Sequence, residues 1–168
     1  MKSFKLVLGV LLTGVFVAAC DSGGGDSASA NDLLEMTVNG AARTADQPTA
    51  HRVSAGGYTT HRIFRSNIPI GGPEAKPETV TIKFYGALSK GAYTIGDGHL
   101  DYITYVNPNY TDTPAYATSG TCTITRVNDS EVSGKFEFEA DLSTVPVRPI
   151  TVVNDRFDVQ YSYVLGSS

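Results

Sequence analysis

The feature that most constrains the fold is a two-residue period in the apolar side chains, which begins near Leu33. It is clearest from Glu131 to Ala140, where every second residue is apolar or glycine and the residues between are charged or serine. The segments Thr79–Tyr85 and Phe157–Tyr163 alternate in the same way. Successive side chains of a strand point to opposite faces, so each segment is predicted to be a strand with one buried face. No long stretch has a helical period, and the chain is predicted to be all-β.

About ten short strands are predicted in a domain spanning residues 32–165, with turn signals such as Asn39-Gly40 and Gly56-Gly57 between them. The remaining candidate strands are Leu34–Val38, Ala41–Thr44, His51–Ala55, Tyr58–Arg65, Gly91–Ile95, Leu100–Val106 and Ile150–Val153. Short connections favour antiparallel neighbours. We predict an antiparallel two-sheet β-sandwich, with a small up-and-down β-barrel as the alternative, because the alternation is the same in both folds.

Composition limits the size and the partners of this domain. A chain of 168 residues has room for one domain. The formal net charge is −4 and the sequence pI is about 5.3. Proteins that bind nucleic acid need a basic surface, so no nucleic-acid partner is predicted.

The N-terminus has the pattern of an export signal. Lys2 and Lys5 precede an apolar run from Leu6 to Val17, and residues 1–19 are predicted to be a signal peptide. The segment Val17-Ala18-Ala19-Cys20 resembles the lipobox of bacterial lipoproteins, whose cysteine is lipidated and becomes the first mature residue. The alternative is an ordinary secretory peptide that is cut near Ala19 and is followed by an incidental cysteine.

The residues after Cys20 are small and polar, which is typical of a flexible tether. We predict that residues 20–31 comprise the lipidated cysteine and this tether, which spans roughly 18 Å as a random coil. The predicted partner of this part of the chain is a membrane, reached through the N-terminal lipid. Cys122 is then the one cysteine left for the domain, and its alternation with threonines favours a buried core residue over a reactive thiol.

Four segments of the chain resemble a family of small bacterial envelope lipoproteins common in Bacteroidetes. The family pattern has a GxY turn and GTVTIT, VSGTFSF and VTITNGxFxV strands, and the corresponding segments here are Gly91–Gly96, Ser119–Arg126, Val132–Phe138 and Ile150–Val159. This chain departs from the pattern at Cys122, Lys135 and Asp155. The resemblance implies a β fold and an outer-membrane location in the cell envelope, and it implies no catalytic chemistry.

The densest polar cluster is Asp97-Gly-His-Leu-Asp101. Two carboxylates and an imidazole could converge on a divalent ion, so Asp97, His99 and Asp101 are the candidate site of a small hydrolase or metal-dependent enzyme. The same residues are ordinary in a turn, and the sequence has no HExxH, EF-hand, P-loop, GxGxxG or GxSxG motif. No cofactor is predicted. His51 and His61 are interpreted as surface residues of strands.

The most suggestive functional segment runs from Leu100 to Ala117, and residues 107–117 are predicted to be a loop because Asn, Pro and Asp are frequent there. The candidate binding residues are Tyr102, Tyr105, Asn107, Tyr110 and Tyr116. Exposed tyrosines suit contact with a glycan or an envelope protein. The alternative is that they cap the edge of the sandwich. The function predicted from the sequence is a non-enzymatic, lipid-anchored binding or assembly module, with the enzyme at Asp97, His99 and Asp101 as the alternative.

Overall fold

A computed structural model describes residues 33–46, 48–66 and 78–166 of the chain. The predicted signal peptide, Cys20 and the predicted tether lie outside these ranges. Within them the chain forms ten strands, β1 (Leu33–Val38), β2 (Ala41–Asp46), β3 (Thr49–Ala55), β4 (Tyr58–Ser66), β5 (Thr79–Tyr85), β6 (Gly91–Thr94), β7 (Leu100–Asn107), β8 (Thr111–Val127), β9 (Glu131–Leu142) and β10 (Arg148–Leu165). In the same ranges there is no helix long and apolar enough to cross a membrane.

The strand pairings close on themselves to form a barrel. Strands β3, β4, β5 and β7 pair in turn, and β7 pairs with the first part of β8. The second part of β8 pairs with β9, β9 pairs with β10, and the last part of β10 returns to β3. Strands β1 and β2 extend the sheet beside β10, and β6 extends it beside β8. The all-β prediction is confirmed, and the barrel, which was the alternative, describes the fold better than the two-sheet sandwich.

Two long strands explain why the sandwich prediction was wrong. β8 has 17 residues and β10 has 18, and each exchanges one neighbour for another along its length. A break between two strands was predicted at Asn154-Asp155, because these residues have the composition of a turn. In the structure β10 continues through these residues with a register shift between Val152 and Asp155. The barrel is also not strictly up-and-down, because β10 and β3 pair in parallel.

The barrel interior is filled by the apolar residues that the two-residue period places on one face. Phe136 and Phe138 are each 2% exposed, and their rings stack with centroids 6.4 Å apart. Cys122 is fully buried, and burial raises the pKa of its thiol. These predicted core positions are confirmed. Because the pairing circuit and the core both lie within residues 33–166, this segment has what it needs to fold without the residues that precede it.

Three polar side chains that face the interior were not predicted as core. His61, Arg65 and Asp155 are 4%, 1% and 2% exposed. The interpretation of His61 as a surface residue was wrong, because it shares the inward face of β4 with Ile63. A backbone N–H of β1, that of Thr37, donates to Asp155 Oδ1 at 2.7 Å. Burial raises the pKa of Asp155 to about 7, although this hydrogen bond and the Arg65 guanidinium both favour the charged form.

The charged and serine residues of β9 were predicted to face solvent, but those at one end of the strand are also buried. Glu131 and Ser133 are covered by Arg126 of β8, whose guanidinium lies 3.1 Å from Glu131 Oε1 and 2.8 Å from Asp158 Oδ1. Ser133 Oγ donates to the same Asp158 oxygen at 2.6 Å. These side chains are shielded from water but keep hydrogen-bond partners. Their burial depends on a network that joins three strands, which the alternation within one strand does not reveal.

The two predicted glycine turns are confirmed. Asn39 and Gly40 have φ of 49° and 78° in the β1–β2 connection, and Gly56 and Gly57 have φ of 59° and 81° in the β3–β4 connection. Two consecutive positive φ values define a type I′ turn, whose twist matches that of the paired strands. Asn-Gly and Gly-Gly adopt this conformation more easily than residues with larger side chains, which explains the placement of both hairpins.

Candidate functional site

Asp97 organises the turn that precedes β7. Its Oδ1 accepts hydrogen bonds from the backbone N–H groups of His99 and Leu100 at 2.7 and 2.9 Å, and its Oδ2 accepts one from Thr94 at 2.7 Å. Burial opposes ionisation of Asp97, but these hydrogen bonds outweigh it and hold the pKa of the carboxyl below its usual value. Both oxygens are therefore engaged in shaping the turn.

The structure does not bring Asp97, His99 and Asp101 together. Asp101 Oδ2 lies 3.1 Å from Lys83 Nζ on β5, whereas His99 Nδ1 lies 3.3 Å from the carbonyl oxygen of Tyr85. Within residues 33–46, 48–66 and 78–166, no three His, Cys, Asp or Glu side chains are grouped so that they could hold a metal ion. The convergence on which the predicted metal or hydrolytic site depends is therefore missing from the described structure.

The segment predicted as a loop over residues 107–117 is largely strand. Only residues 108–110 form the turn, and β8 begins at Thr111, which pairs with Asn107. Between that pair and the pair of Tyr105 with Ala115, β8 has three residues where β7 has one. Pro114 lies in this bulge, where the pairing does not require its missing N–H group. The prediction of a loop over residues 107–117 is therefore wrong, because a three-residue turn and a bulge within a strand account for its turn-forming residues.

Two of the five predicted binding residues lie inside the barrel. Tyr105 is 1% exposed and Asn107 is 6% exposed. The Asn107 side-chain amide donates to Glu78 Oε1 at 2.8 Å and to the Tyr105 hydroxyl at 3.3 Å, and Arg43 Nε lies 3.1 Å from Glu78 Oε2. Burial, followed by the Glu78 charge, raises the pKa of Tyr105. Tyr105 and Asn107 thus complete a buried polar network and are not available to a large partner.

Tyr110 lies at the end of the barrel, in the β7–β8 turn. Tyr110 is 53% exposed, and the guanidinium carbon of Arg148 lies 4.3 Å from the centroid of its ring. Arg148 is the first residue of β10, so this contact fastens the turn to a different strand. Tyr110 is accessible, but the structure places it apart from the two predicted tyrosines that point outward.

The outward-pointing tyrosines form a surface that we call the tyrosine face, made of Lys83 and Tyr85 on β5, Tyr102 on β7 and Tyr116 on β8. The rings of Tyr102 and Tyr116 meet edge to face with centroids 5.9 Å apart. Lys83 pairs with Tyr102 in the sheet register, and its Nζ lies 4.5 Å from the Tyr85 ring centroid and 5.2 Å from that of Tyr102. Tyr85 is 42% exposed and Tyr116 is 62% exposed.

The tyrosine face contains a fixed positive charge. Lys83 Nζ donates to the Tyr85 hydroxyl at 3.0 Å, and this hydrogen bond, together with Asp101, raises the pKa of the ammonium group. The lysine therefore remains a cation at neutral pH and holds the two neighbouring rings in place. Aromatic surface, hydroxyl groups and a fixed cation are the groups with which proteins bind hydroxylated ligands.

Lys83 and Tyr85 are the members of this face that the sequence analysis missed. A signal was present, because the two-residue period of β5 places both on the side opposite Val80, Ile82 and Phe84. What the sequence could not supply was the strand order, which puts β7 beside β5 and so joins these residues to Tyr102.

Comparison with known proteins identifies the family of the chain. No curated protein and no solved structure matches it. One family model matches residues 55–155, from the β3–β4 turn to the middle of β10, and this range includes every residue of the tyrosine face. The matched range is more than half of the 168 residues. The chain therefore belongs to the family described as a domain of unknown function, DUF6252.

Proposed function

We propose that this protein is held in the bacterial envelope by a lipid on Cys20 and that its barrel is a non-enzymatic binding module. The observation that carries the binding role is the tyrosine face. Tyr85, Tyr102 and Tyr116 come from three strands and meet on the outside of the barrel, whereas the apolar residues of the same strands fill the interior. The barrel core is complete without these rings, so their exposure is better explained by a partner.

The N-terminal sequence supports the proposed anchor. Lys2, Lys5 and the apolar run precede Val17-Ala18-Ala19-Cys20, and small polar residues follow. Each buried acyl methylene contributes about 0.8 kcal/mol, so two or three chains would hold the domain to a membrane durably. We place the protein at the outer membrane, as the resemblance to Bacteroidetes envelope lipoproteins implies. The tether would let the barrel sample a layer roughly 18 Å deep next to the bilayer.

An envelope glycan is the partner class that fits the tyrosine face best. Its aromatic rings alternate with polar groups, including the threonines beside them on β5 and β7. A sugar ring offers an apolar C–H face to an aromatic ring and hydroxyls to polar neighbours. An exposed tyrosine leaves up to about 150 Å² to bury, which at roughly 25 cal/mol per Å² corresponds to several kcal/mol before ordering costs. A protein partner needs about 800 Å² per side, more than these four side chains provide.

The anchor is tested by growing cells with an alkyne-tagged fatty acid and measuring its incorporation into the protein. Wild type is expected to be labelled, and Cys20→Ser is expected to lose the label completely. Cys122→Ser is the matched control, because Cys122 is buried in the barrel and should leave labelling unchanged. Equal labelling of wild type and Cys20→Ser would contradict the lipid anchor.

The partner class is tested with the barrel fragment, residues 32–168, and polysaccharide isolated from the envelope of the source cells. Saturable binding that soluble fragments of the same polysaccharide compete away would support a glycan. Binding to envelope proteins that persists after the polysaccharide has been removed would contradict the glycan and favour a protein partner.

A further inference from the structure

A second surface feature lies at the end of the barrel where β10 finishes. Strands β3 and β4, the segment after β5, the end of β8 and the end of β10 line an open cavity of about 500 Å³. This is within the range of roughly 300–1,000 Å³ that is usual for small-molecule sites. The tyrosine face contributes none of its residues to the lining. The cavity is therefore separate from the proposed glycan site.

The polar side of the cavity contains a cation that is held in position. The Arg52 guanidinium carbon lies 5.4 Å from the centroid of the Tyr161 ring, and Arg52 Nη1 donates to Asp129 Oδ1 at 3.1 Å. The Asp129 side chain is fully exposed, whereas that of Arg52 is 23% exposed. An exposed ion pair of this kind contributes only about 0–1 kcal/mol, so another anion can replace Asp129 at low cost. The stacking on Tyr161 keeps Arg52 in place during the exchange.

His61 lines the cavity as a neutral group. It is 4% exposed, and its Nδ1 lies 2.8 Å from the Tyr161 hydroxyl. Burial, assisted by the Arg52 charge, lowers the pKa of His61 to about 4. The same burial raises the pKa of Tyr161 to about 12, so both partners are uncharged at neutral pH. Arg52 is therefore the cation that the described lining offers to a ligand.

The opposite side of the cavity is apolar and incompletely covered. Leu88 packs partly against the core, while Val164 and Leu165 are 47% and 50% exposed. Apolar side chains exposed beside a fixed cation match a ligand with one charged end and one apolar end. Burial of the ligand's apolar segment would contribute roughly 25 cal/mol per Å².

We propose that this cavity binds a small carboxylate with an apolar segment, with the carboxylate on Arg52 in place of Asp129 and the apolar segment against Val164 and Leu165. The Arg52 guanidinium presents paired N–H donors, so it can donate two parallel hydrogen bonds to the carboxylate. The ligand carries no positively charged group, because Arg52 would repel such a group and only the exposed Asp129 would attract it.

The test is calorimetric titration of the barrel fragment, residues 32–168, with octanoate, octylammonium and octan-1-ol. Octanoate is expected to bind saturably and more tightly than the other two. Arg52→Gln is expected to weaken octanoate binding roughly tenfold. Asp129→Asn is expected to strengthen it several-fold, because the internal competitor for Arg52 has been removed. Arg62→Gln is the matched control, since Arg62 lies over the Phe64 ring on the outside of β4 and should leave binding unchanged.

The two variants give opposite predictions, which keeps the test decisive if Arg52→Gln folds poorly. Asp129 is fully exposed, so Asp129→Asn is expected to fold as wild type does. Absence of saturable octanoate binding would overturn the proposal. So would octanoate binding that neither variant alters, or a preference for octylammonium that Asp129→Asn abolishes.

Discussion

Tyr102 and Tyr105 lie three residues apart on β7 and belong to different parts of the molecule. Tyr105 faces the barrel interior, is 1% exposed and takes part in the polar network of Asn107 and Glu78. Tyr102 faces outward and contacts Tyr116 and Lys83. An odd spacing along a strand puts two side chains on opposite faces. The face of the strand, and not the residue type or the segment, therefore separates a buried tyrosine of the core from a tyrosine that faces outward.

Substitutions of inward-facing and outward-facing residues are expected to differ most in their effect on stability on β9. Phe138→Ala removes a buried ring and should lower the free energy of unfolding by about 3–5 kcal/mol. Glu137→Ala, one position away on the outside, should change it by less than about 0.5 kcal/mol. Chemical denaturation of the barrel fragment measures both. Losses of similar size would mean that the inward and outward faces of β9 had been assigned wrongly.

The next largest effect concerns the buried carboxyl of Asp155 and depends on pH. Its pKa is about 7 in the fold, above the ordinary value of 3.8, so the folded state binds a proton more tightly than the unfolded state. Asp155 therefore contributes most stability below about pH 4, and this contribution is lost as the pH rises to about 7. His61 acts in the opposite direction, because its pKa is lowered to about 4 and stability is lost as the pH falls from 6.5.

The substitution Asp155→Asn separates the pH dependence of stability that is due to Asp155 from the part that is due to His61. Relative to wild type, this variant should gain roughly 2–4 kcal/mol of unfolding free energy as the pH rises from 4 to 8, since it no longer ionises. Its remaining pH dependence should have the sign expected of His61, with stability rising between pH 4 and 6.5. Denaturation curves measured across this range for both proteins provide the comparison. A constant difference between them would contradict the raised pKa of Asp155.

A smaller effect separates the two tyrosines of β7 directly. Tyr105→Phe removes a hydroxyl that Asn107 contacts inside the barrel, and it should cost about 1 kcal/mol of unfolding free energy. Tyr102→Phe removes an outward hydroxyl, and its effect should be close to zero. Thermal unfolding of the two variants is the appropriate measurement. A larger loss for Tyr102→Phe would show that the outer face stabilises the barrel.

Much of this fold follows from the sequence. The two-residue period predicts the strands and places Phe136, Phe138 and Cys122 in the core, and the glycine-containing dipeptides predict two turns, which are type I′ in the structure. Barrel closure could not be predicted in this way, because it depends on partner exchange along β8 and β10, which local alternation does not record. The inward polar groups His61 and Asp155 were missed for a related reason, since their partners lie on distant strands.

The candidate site could be predicted from the sequence only in part. Residues 100–106 were predicted to be a strand, and parity along that strand already separates Tyr102 from Tyr105. The turn-forming residues after Val106 obscured this separation, because the strand tyrosines and those of the predicted loop were grouped into one candidate segment, Leu100 to Ala117. The contributions of Lys83 and Tyr85 required the β5–β7 pairing. The sequence also could not show that Asp97, His99 and Asp101 contact three different groups and therefore do not converge.

The most direct test of the tyrosine face combines a binding measurement with a stability measurement on one variant. Tyr102→Ser/Tyr116→Ser should abolish binding of the barrel fragment to the envelope polysaccharide and should change the melting temperature by less than about 2 °C. Tyr110→Ser, an exposed tyrosine outside the tyrosine face, is the matched control and should bind as wild type does. Binding that survives the double substitution, or that is lost only because the barrel unfolds, would contradict the assignment of this surface as the contact site.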